Sequence, residues 1–234
     1  MLRYEAWLSK VLATMKWIIG SGLIVVSCLC NVAYAQIGAV WRHPPSIAVV
    51  SAAGDPRLGL VDEAVSFWNQ TLEKVGSGFR LGPVTHIVQP VPEEALQALG
   101  TSVADGDGGV SIPQVLRALP GDITIVLAQS AFASFTTFVG SKRIIGIRGT
   151  DSPPMSLPNV ARNVIAHELG HAIGLRHNSD PSTLMCGRPA WCRPYLFRSD
   201  TPHVFPLTDR EKLELLEMYP SVRKPKAADR ERTA

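Results

Sequence analysis

The sequence has no large surplus of either charge. Its 234 residues include 23 Lys and Arg against 20 Asp and Glu, for a formal net charge of +3. That balance excludes a surface dedicated to nucleic acid, so we expect no nucleic-acid partner. The surplus lies at the ends, since residues 1–35 carry +2 and residues 221–234 carry +3. We therefore predict one slightly acidic domain over residues 36–220, followed by a charged, disordered tail.

The sequence also lacks an apolar run long enough to cross a bilayer comfortably. Its most apolar stretch, residues 17–30, is shorter than the roughly 20 residues of a membrane-spanning helix. Basic residues precede this stretch and Ala33-Tyr34-Ala35 follows it, which is the pattern of a signal peptide cleaved after Ala35. We expect a secreted or periplasmic protein without stable membrane association. An uncleaved anchor over residues 1–35, or lipid attachment at Cys28, are the alternatives.

Cysteine is scarce as well. Of four cysteines in the chain, Cys28 and Cys30 precede the predicted cleavage site. An exported chain that keeps only Cys186 and Cys192 is expected to join them in one small disulfide loop.

Internal repeats and low-complexity segments are absent from residues 36–220, and the apolar periodicity predicts alternating strands and helices. The predicted strands are residues 47–50, 79–88, 122–127 and 142–148, and the predicted early helices are residues 58–74 and 93–99. Lys142, Arg143 and Arg148 flank the last strand, which favours an exposed edge strand there.

A glycine-rich turn over residues 105–109 contains two aspartates, which raises the question of a calcium site. Counted from Asp105, the segment lacks the Gly and the Glu that an EF-hand loop has at its sixth and twelfth positions. Calcium binding is therefore only weakly supported, and a solvated loop is favoured.

The segment that carries chemistry follows Pro158. Asn159 is predicted to cap a helix over residues 160–173. In that helix Ala161, Ile165 and Leu169 form a stripe that faces the core, which leaves another stripe for polar side chains.

Residues 167–177 contain three histidines at metal-ligand spacing. His167 and His171 lie one helical turn apart, so both can bind the same tetrahedral zinc ion. Gly174 is placed to end the helix in a left-handed turn, which brings His177 back as the third ligand.

Three neutral imidazoles leave a zinc ion a fourth position for water, which indicates a catalytic site rather than a closed structural one. Glu168 follows the first ligand and can reach that water. We predict that Glu168 accepts a proton as general base, while the zinc polarises a carbonyl, and then returns the proton to the leaving amine.

The pattern His-Glu-x-x-His-x-x-Gly-x-x-His resembles the motif of the metzincin metalloproteases at every fixed position. The likeness implies a methionine turn beneath the zinc, for which Ser182-Thr183-Leu184-Met185 is the matching segment; Met185 as ordinary core filler is the alternative. Thr208 to Glu211 reads as a capping box that starts a final helix. Its apolar face is predicted to contain three side chains, Leu213, Leu216 and Met218.

The order of elements is similar to that of the matrixin branch, peptidase family M10. This resemblance implies an α+β zincin fold with a twisted, mostly parallel sheet. An edge strand would lie over the zinc-binding helix, with the methionine turn and a C-terminal helix behind it. Three features depart from the relatives. Asn178 replaces the usual matrixin serine, Gly187 stands where some metzincins have a tyrosine ligand, and no cysteine between Ala35 and the zinc helix can serve as a cysteine switch.

Metzincins bind an extended peptide beside an edge strand, and the likeness therefore implies a protein or peptide substrate. Ile144, Ile145, Gly146 and Ile147 are the predicted substrate strand. Residues 187–191, inside the predicted disulfide loop, either line the pocket beside the zinc or form a stapled surface loop.

Together these features predict a secreted, monomeric zinc endopeptidase with one catalytic zinc ion. Two other functions remain open. One is a non-catalytic zinc-containing binding or adhesion module, against which the intact Glu168 argues. The other is a zinc hydrolase of small amides or cell-wall peptides.

Overall fold

The computed structural model describes residues 40–105, 111–151, 154–187, 192 and 201–221. The predicted signal peptide, the tail after Ser221, and residues 106–109 of the proposed calcium turn lie outside the described residues. The strands are β1 (Ile47–Ser51), β2 (Val84–Val88), β3 (Ile123–Leu127), β4 (Phe135–Val139) and β5 (Lys142–Ile147). The helices are α1 (Leu58–Lys74), α2 (Glu93–Asp105), α3 (Gln114–Arg117), α4 (Pro158–Ala172) and α5 (Asp209–Met218).

The five strands form one mixed sheet in the order β2-β1-β3-β5-β4. β1 pairs in parallel with β2 and β3, β3 pairs in parallel with β5, and only β4 runs antiparallel to its neighbour β5. The predicted α+β class and mostly parallel sheet are therefore confirmed. Because β5 lies between two strands, the prediction that residues 142–148 form an exposed edge is wrong. Among the described strands the edges are β2 and β4, and the sequence did not predict β4.

The sheet separates two apolar cores, and the alternation of side chains along each strand explains why. In β3, Ile123, Ile125 and Leu127 belong to the larger core, together with side chains of α1, α4 and α5, whereas Val126 belongs to the smaller core with α2 and α3. A strand that is buried at every position, as β3 is, suits a sheet covered on both faces. This architecture fixes α1 and α4 on the same face of the sheet.

Several predicted boundaries change, each for a local reason. The second strand begins at Val84 rather than at residue 79, because Pro83 cannot donate to a strand ladder; Phe79 and Leu81 instead pack in the larger core. The helix predicted over residues 93–99 continues to Asp105. The first helix has the predicted bounds.

The start of α4 differs from the predicted one, whereas the start of α5 agrees with the prediction. Leu157, not Asn159, is the N-cap of α4, because Pro158 occupies the first helical position. Asn159 is buried in the first turn, where its side chain donates to the oxygen of Thr201 and accepts from Arg162. The capping box of Thr208 and Glu211 is present as predicted.

The predicted apolar face of the final helix is partly wrong. Leu213 is 61% exposed, whereas Leu215 is fully buried in the larger core. Leu216 and Met218 are partly buried. The stripe is rotated relative to the prediction, so that Leu215 and Tyr219, one turn apart, meet the core.

None of the helices in the described ranges is both long and apolar enough to cross a membrane.

Candidate active site

Helix α4 is held rigidly because its backbone is bound by aromatic side chains from elsewhere in the chain. The indole nitrogen of Trp68 in α1 donates to the oxygen of Ala166 at 2.8 Å. At the C-terminal end, where helix carbonyls lack partners within the helix, Trp41 donates to the oxygen of Ala172 and the hydroxyl of Tyr219 to that of Ile173, both at 2.9 Å. Burial raises the pKa of Tyr219 to about 12, so it remains a neutral donor.

The three predicted zinc ligands come together at the exposed side of α4. The Nε2 atoms of His167 and His171 are 3.0 Å apart, those of His171 and His177 are 3.0 Å apart, and those of His167 and His177 are 3.2 Å apart. A tetrahedral zinc ion with bonds of about 2.0 to 2.1 Å keeps its ligand atoms about 3.3 Å apart. The spacing therefore fits one zinc ion bound by three imidazoles.

The outer nitrogens of two ligands are fixed by backbone carbonyls. Nδ1 of His167 lies 2.8 Å from the oxygen of Leu184, and Nδ1 of His171 lies 2.8 Å from the oxygen of Leu175. A carbonyl only accepts, so both Nδ1 atoms carry the proton and both Nε2 lone pairs face the cluster. Burial lowers the pKa of His167 to about 4 and also lowers that of His171, which favours the neutral, metal-binding form.

The third ligand depends on two glycines. Gly174 follows the helix with φ +107°, a left-handed conformation that ends α4 and redirects the chain toward His177, as the sequence predicts. Gly187 packs directly against the ring of His177, since a Cβ on that residue would overlap the imidazole. The same closeness excludes a tyrosine at position 187.

Met185, the residue of the predicted methionine turn, packs against the metal-binding helix at Gly170. Its side chain is fully buried, and a Cβ on Gly170 would lie only 2.5 Å from its sulfur. Asn178, the residue after the third ligand, fastens this turn: its amide donates to Oγ1 of Thr183 at 2.8 Å and to Glu211 of α5 at 2.7 Å. Asn178 thus connects the ligand loop to the final helix.

Glu168 is buried beside the cluster and contacts the edge strand. The hydroxyl of Thr136 in β4 lies 2.7 Å from Oε2 of Glu168 and 2.9 Å from its backbone oxygen. Burial raises the pKa of the Glu168 carboxyl, although His171 and the Thr136 hydrogen bond oppose that rise. The contact restrains the carboxylate next to the histidines.

The sequence reading missed Thr136, although a usable signal was present. Gly140-Ser141 separates the β-branched and aromatic run of residues 135–139 from β5, which is the pattern of a two-residue hairpin. Gly140 has φ +58°, as such a turn requires.

A cavity of about 320 Å³ opens beside the histidine cluster. His167 and Glu168 form one part of its wall, and Val164, Leu184 and the pair Cys186–Cys192 form others. The predicted disulfide between those two cysteines is present. Residues 188–191 of the loop that it closes lie outside the described residues. The predicted substrate strand, residues 144–147, belongs to β5. This strand is buried and pairs with β3 on one side and with β4 on the other, so it offers no free edge.

Comparison with known proteins agrees with this geometry. The family model of the matrixins, described as Peptidase_M10, matches residues 117–197, which include the three histidines, Glu168 and Met185. No protein among those with curated descriptions matches the sequence.

Three solved structures are partly similar. Archaemetzincin from Methanopyrus kandleri is 18% identical, with a TM-score of 0.47 over 75% of this chain and 95% of that one. Metalloproteinase-II from Bacteroides fragilis is 14% identical, with a TM-score of 0.45 over 77% of this chain, which spans about half, 54%, of that one. A zinc-dependent peptidase from Methanocorpusculum labreanum is 13% identical, with a TM-score of 0.36 over 72% of this chain and 99% of that one.

The cluster of His167, His171 and His177 can bind a metal ion, and it lies within the residues that match the matrixin family model. The chain carries a metzincin-like zinc metallopeptidase domain.

Proposed function

We propose that this chain is an exported zinc endopeptidase in which Glu168 is the general base and acid. The observation that carries the proposal is the joint placement of three converging Nε2 atoms and a buried carboxylate beside an open cavity. A site that only stabilises the fold needs neither the carboxylate nor the cavity.

His167, His171 and His177 would hold the zinc ion through their Nε2 atoms. Zinc bound in such a site lowers the pKa of a coordinated water and polarises a substrate carbonyl. The backbone carbonyls of Leu184 and Leu175 keep two of these rings in the tautomer that binds metal. Burial keeps the same rings neutral near pH 7.

Glu168 moves the proton. It follows the first ligand in sequence and is 6% exposed, so little water competes for its carboxylate. It takes a proton from the attacking water and gives it to the amine that leaves the peptide. Thr136 holds the carboxylate at 2.7 Å and thereby limits its rotation.

The substrate would lie along β4 rather than along the predicted residues 144–147. One side of β4 pairs with β5, and among the described strands nothing pairs with its other side. An extended peptide added there gains main-chain hydrogen bonds. Because Thr136 of β4 contacts Glu168, a peptide bound along this edge would lie beside the metal site.

Glu168→Gln tests the mechanism. The variant should bind one zinc ion per chain, measured by metal analysis, and should lose peptide hydrolysis by a factor of about 100 or more. Glu217→Gln, which changes an exposed glutamate of α5, is the matched control and should keep full activity. Undiminished turnover by Glu168→Gln would refute the assigned role.

A peptide-library digest with mass-spectrometric readout, with and without a zinc chelator, tests the class of activity. Internal cleavage that the chelator abolishes supports an endopeptidase. Trimming at chain ends would indicate a hydrolase of small substrates, and zinc binding without any cleavage would indicate a non-catalytic module.

Export is the remaining part of the proposal, and it depends on the sequence of residues 1–35. N-terminal sequencing of exported protein should find Gln36 as the first residue. Retention of residues 1–35 in a membrane fraction would indicate an anchor, and a lipid at Cys28 would indicate a lipoprotein.

A further inference from the structure

The cavity beside the histidine cluster contains one charged group that the proposed chemistry does not use. Arg148 follows β5 directly and lines the cavity together with apolar side chains such as Met155, Val160 and Val164. Among the described residues that line the cavity, the only carboxylate is that of Glu168, which is buried and bound to Thr136. The cavity therefore combines an apolar wall with a guanidinium.

The backbone of Arg148 is fixed on both sides. Its N–H donates to Oγ of Ser134 at 3.2 Å, and its carbonyl accepts from Nη1 of Arg57 at 2.7 Å. Arg57 is itself buried and bound by the carboxylate of Asp55, so Asp55 already balances one guanidinium. The backbone of Arg148 is thus held by two hydrogen bonds, and the buried carboxylate of Asp55 is bound to Arg57.

The side chain of Arg148 lacks such a partner within the described ranges. Its Nε atom is buried without a hydrogen bond there, and no ion pair joins it to a described Asp or Glu. Arg143 of β5 is different, because its Cζ atom lies 4.6 Å from the ring centroid of Trp41 and 4.7 Å from that of Phe138. A buried donor without a partner at the wall of a cavity is a place where a ligand oxygen gains a charge-assisted hydrogen bond.

The geometry points to Arg148 as the specificity-determining residue of this cavity, which recognises a carboxylate of the peptide substrate. This inference rests on the proposed peptidase function. A guanidinium pairs with a carboxylate through two parallel hydrogen bonds, a fit that an amide side chain cannot match. The substrate class is therefore a peptide with an acidic residue, Glu or Asp, next to the cleaved bond. A free C-terminal carboxylate has the same chemistry and is the second source to be distinguished.

Paired peptides that differ only in Glu or Gln beside the cleaved bond test the inference. We expect kcat/KM to be about tenfold higher for the Glu peptide with the unmodified chain. Arg148→Met should abolish that ratio while it leaves cleavage of the Gln peptide within about threefold, and Arg148→Lys should keep part of the preference. Arg210→Gln removes the same charge from an exposed site on α5 and should leave the ratio unchanged. Equal cleavage of both peptides by the unmodified chain, or an unchanged ratio in Arg148→Met, would overturn the inference.

Amidated and free forms of each peptide identify the source of the carboxylate. If amidation of the C-terminus lowers kcat/KM of both peptides equally and Arg148→Met removes that effect, the chain terminus is the group recognised; if amidation has no effect and the Glu peptide is still preferred, the acidic side chain is.

A binding measurement separates failure of the inference from failure of the proposed function. In the Glu168→Gln background, calorimetric titration should give an affinity for the Glu peptide about tenfold above that for the Gln peptide, and Arg148→Met should remove the difference. If nothing is cleaved but this difference is found, the peptidase proposal fails and the carboxylate site stands. If the two peptides bind equally, the carboxylate site fails whatever the chain cleaves.

Discussion

The metal-binding side and the substrate side of the cleft are built in different ways. The ligands come from one short segment, residues 167–177, in which a helical turn and Gly174 set their relative positions. The proposed substrate side combines Thr136 of β4, Arg148 after β5 and the disulfide pair Cys186–Cys192. Chemistry that depends on local geometry is therefore visible in the sequence, whereas recognition depends on strands that meet only in the folded chain.

Gly187→Ala should have the largest effect on this comparison, because it disturbs the metal side from outside the ligand segment. A Cβ at this position would overlap the ring of His177, so the imidazole must move. We expect zinc affinity to fall by about 10- to 100-fold, the range typical of damage to groups that orient a ligand. Competition with a fluorescent chelator measures it.

Gly59→Ala is the control for that experiment. This glycine lies in α1 with no atom within 4 Å of an added Cβ, so zinc affinity should be unchanged. Unaltered affinity in Gly187→Ala as well would show that the position of the His177 ring is not limited by the chain beside it.

Thr136→Val tests the substrate side without touching a ligand. Valine keeps the shape of the side chain but removes the hydroxyl that contacts Glu168. We expect kcat to fall about tenfold, with KM and zinc content nearly unchanged, since a hydrogen bond to a charged group contributes about 1.5 to 3 kcal/mol.

Two further variants serve as controls for that measurement. Thr136→Ser restores a hydroxyl and should recover most of kcat. Thr137→Val changes the neighbouring residue of β4, which points to the other side of the strand, and should have little effect. A loss of zinc in Thr136→Val would place this residue on the metal side instead.

The smallest expected effect lies in the scaffold that both sides share. The backbone N–H and the hydroxyl of Ser46 both donate to Asp122 at 2.8 Å, and they lower the pKa of that carboxyl. Its folded pKa is thus below the unfolded value of about 3.9, so the contribution to stability is full above that value and is lost as pH falls toward the folded pKa. Ser46→Ala should reduce acid-induced loss of stability by less than about 1 kcal/mol, because the pair is largely exposed.

Urea unfolding of the metal-free chain measures that contribution. The measurement covers about pH 3 to pH 6, because carboxyl groups titrate near the lower end of this range. Use of the metal-free chain removes the pH dependence of zinc binding, and the difference between variant and parent cancels the titration of the histidines. An identical pH dependence in the variant and the parent chain would show that the Ser46 hydroxyl does not contribute to the lowered pKa of Asp122.

Sequence patterns predicted the elements whose character is local. The bounds of α1 follow from apolar residues at helical spacing, and the capping box of Thr208 and Glu211 follows from two side chains three positions apart. The methionine turn at Met185 was predicted from resemblance alone, and it stays a prediction; the structure shows that the Met185 side chain packs against Gly170.

The failures share one cause, which is that strand order is not a local property. Residues 142–148 carry charges at both ends, as edge strands often do, yet β5 is interior because Phe135–Val139 folds back to cover it. Asn159 has the chemistry of an N-cap, but its amide is used to bind Thr201 and Arg162 across the fold. At such positions local propensity allows more than one structure, and the tertiary contacts determine which one forms.

By itself, the sequence determined the ligand set and the chemistry of the cleft, because helical periodicity and a glycine-terminated turn place His167, His171 and His177 within reach of one zinc ion. Only the tertiary structure decided which strand borders the cleft, what restrains Glu168 and where Arg148 lies. Those placements depend on contacts between residues far apart in the chain, such as Thr136 with Glu168 and Arg57 with Arg148. No spacing rule specifies such contacts, since they form only when the sheet and helices pack.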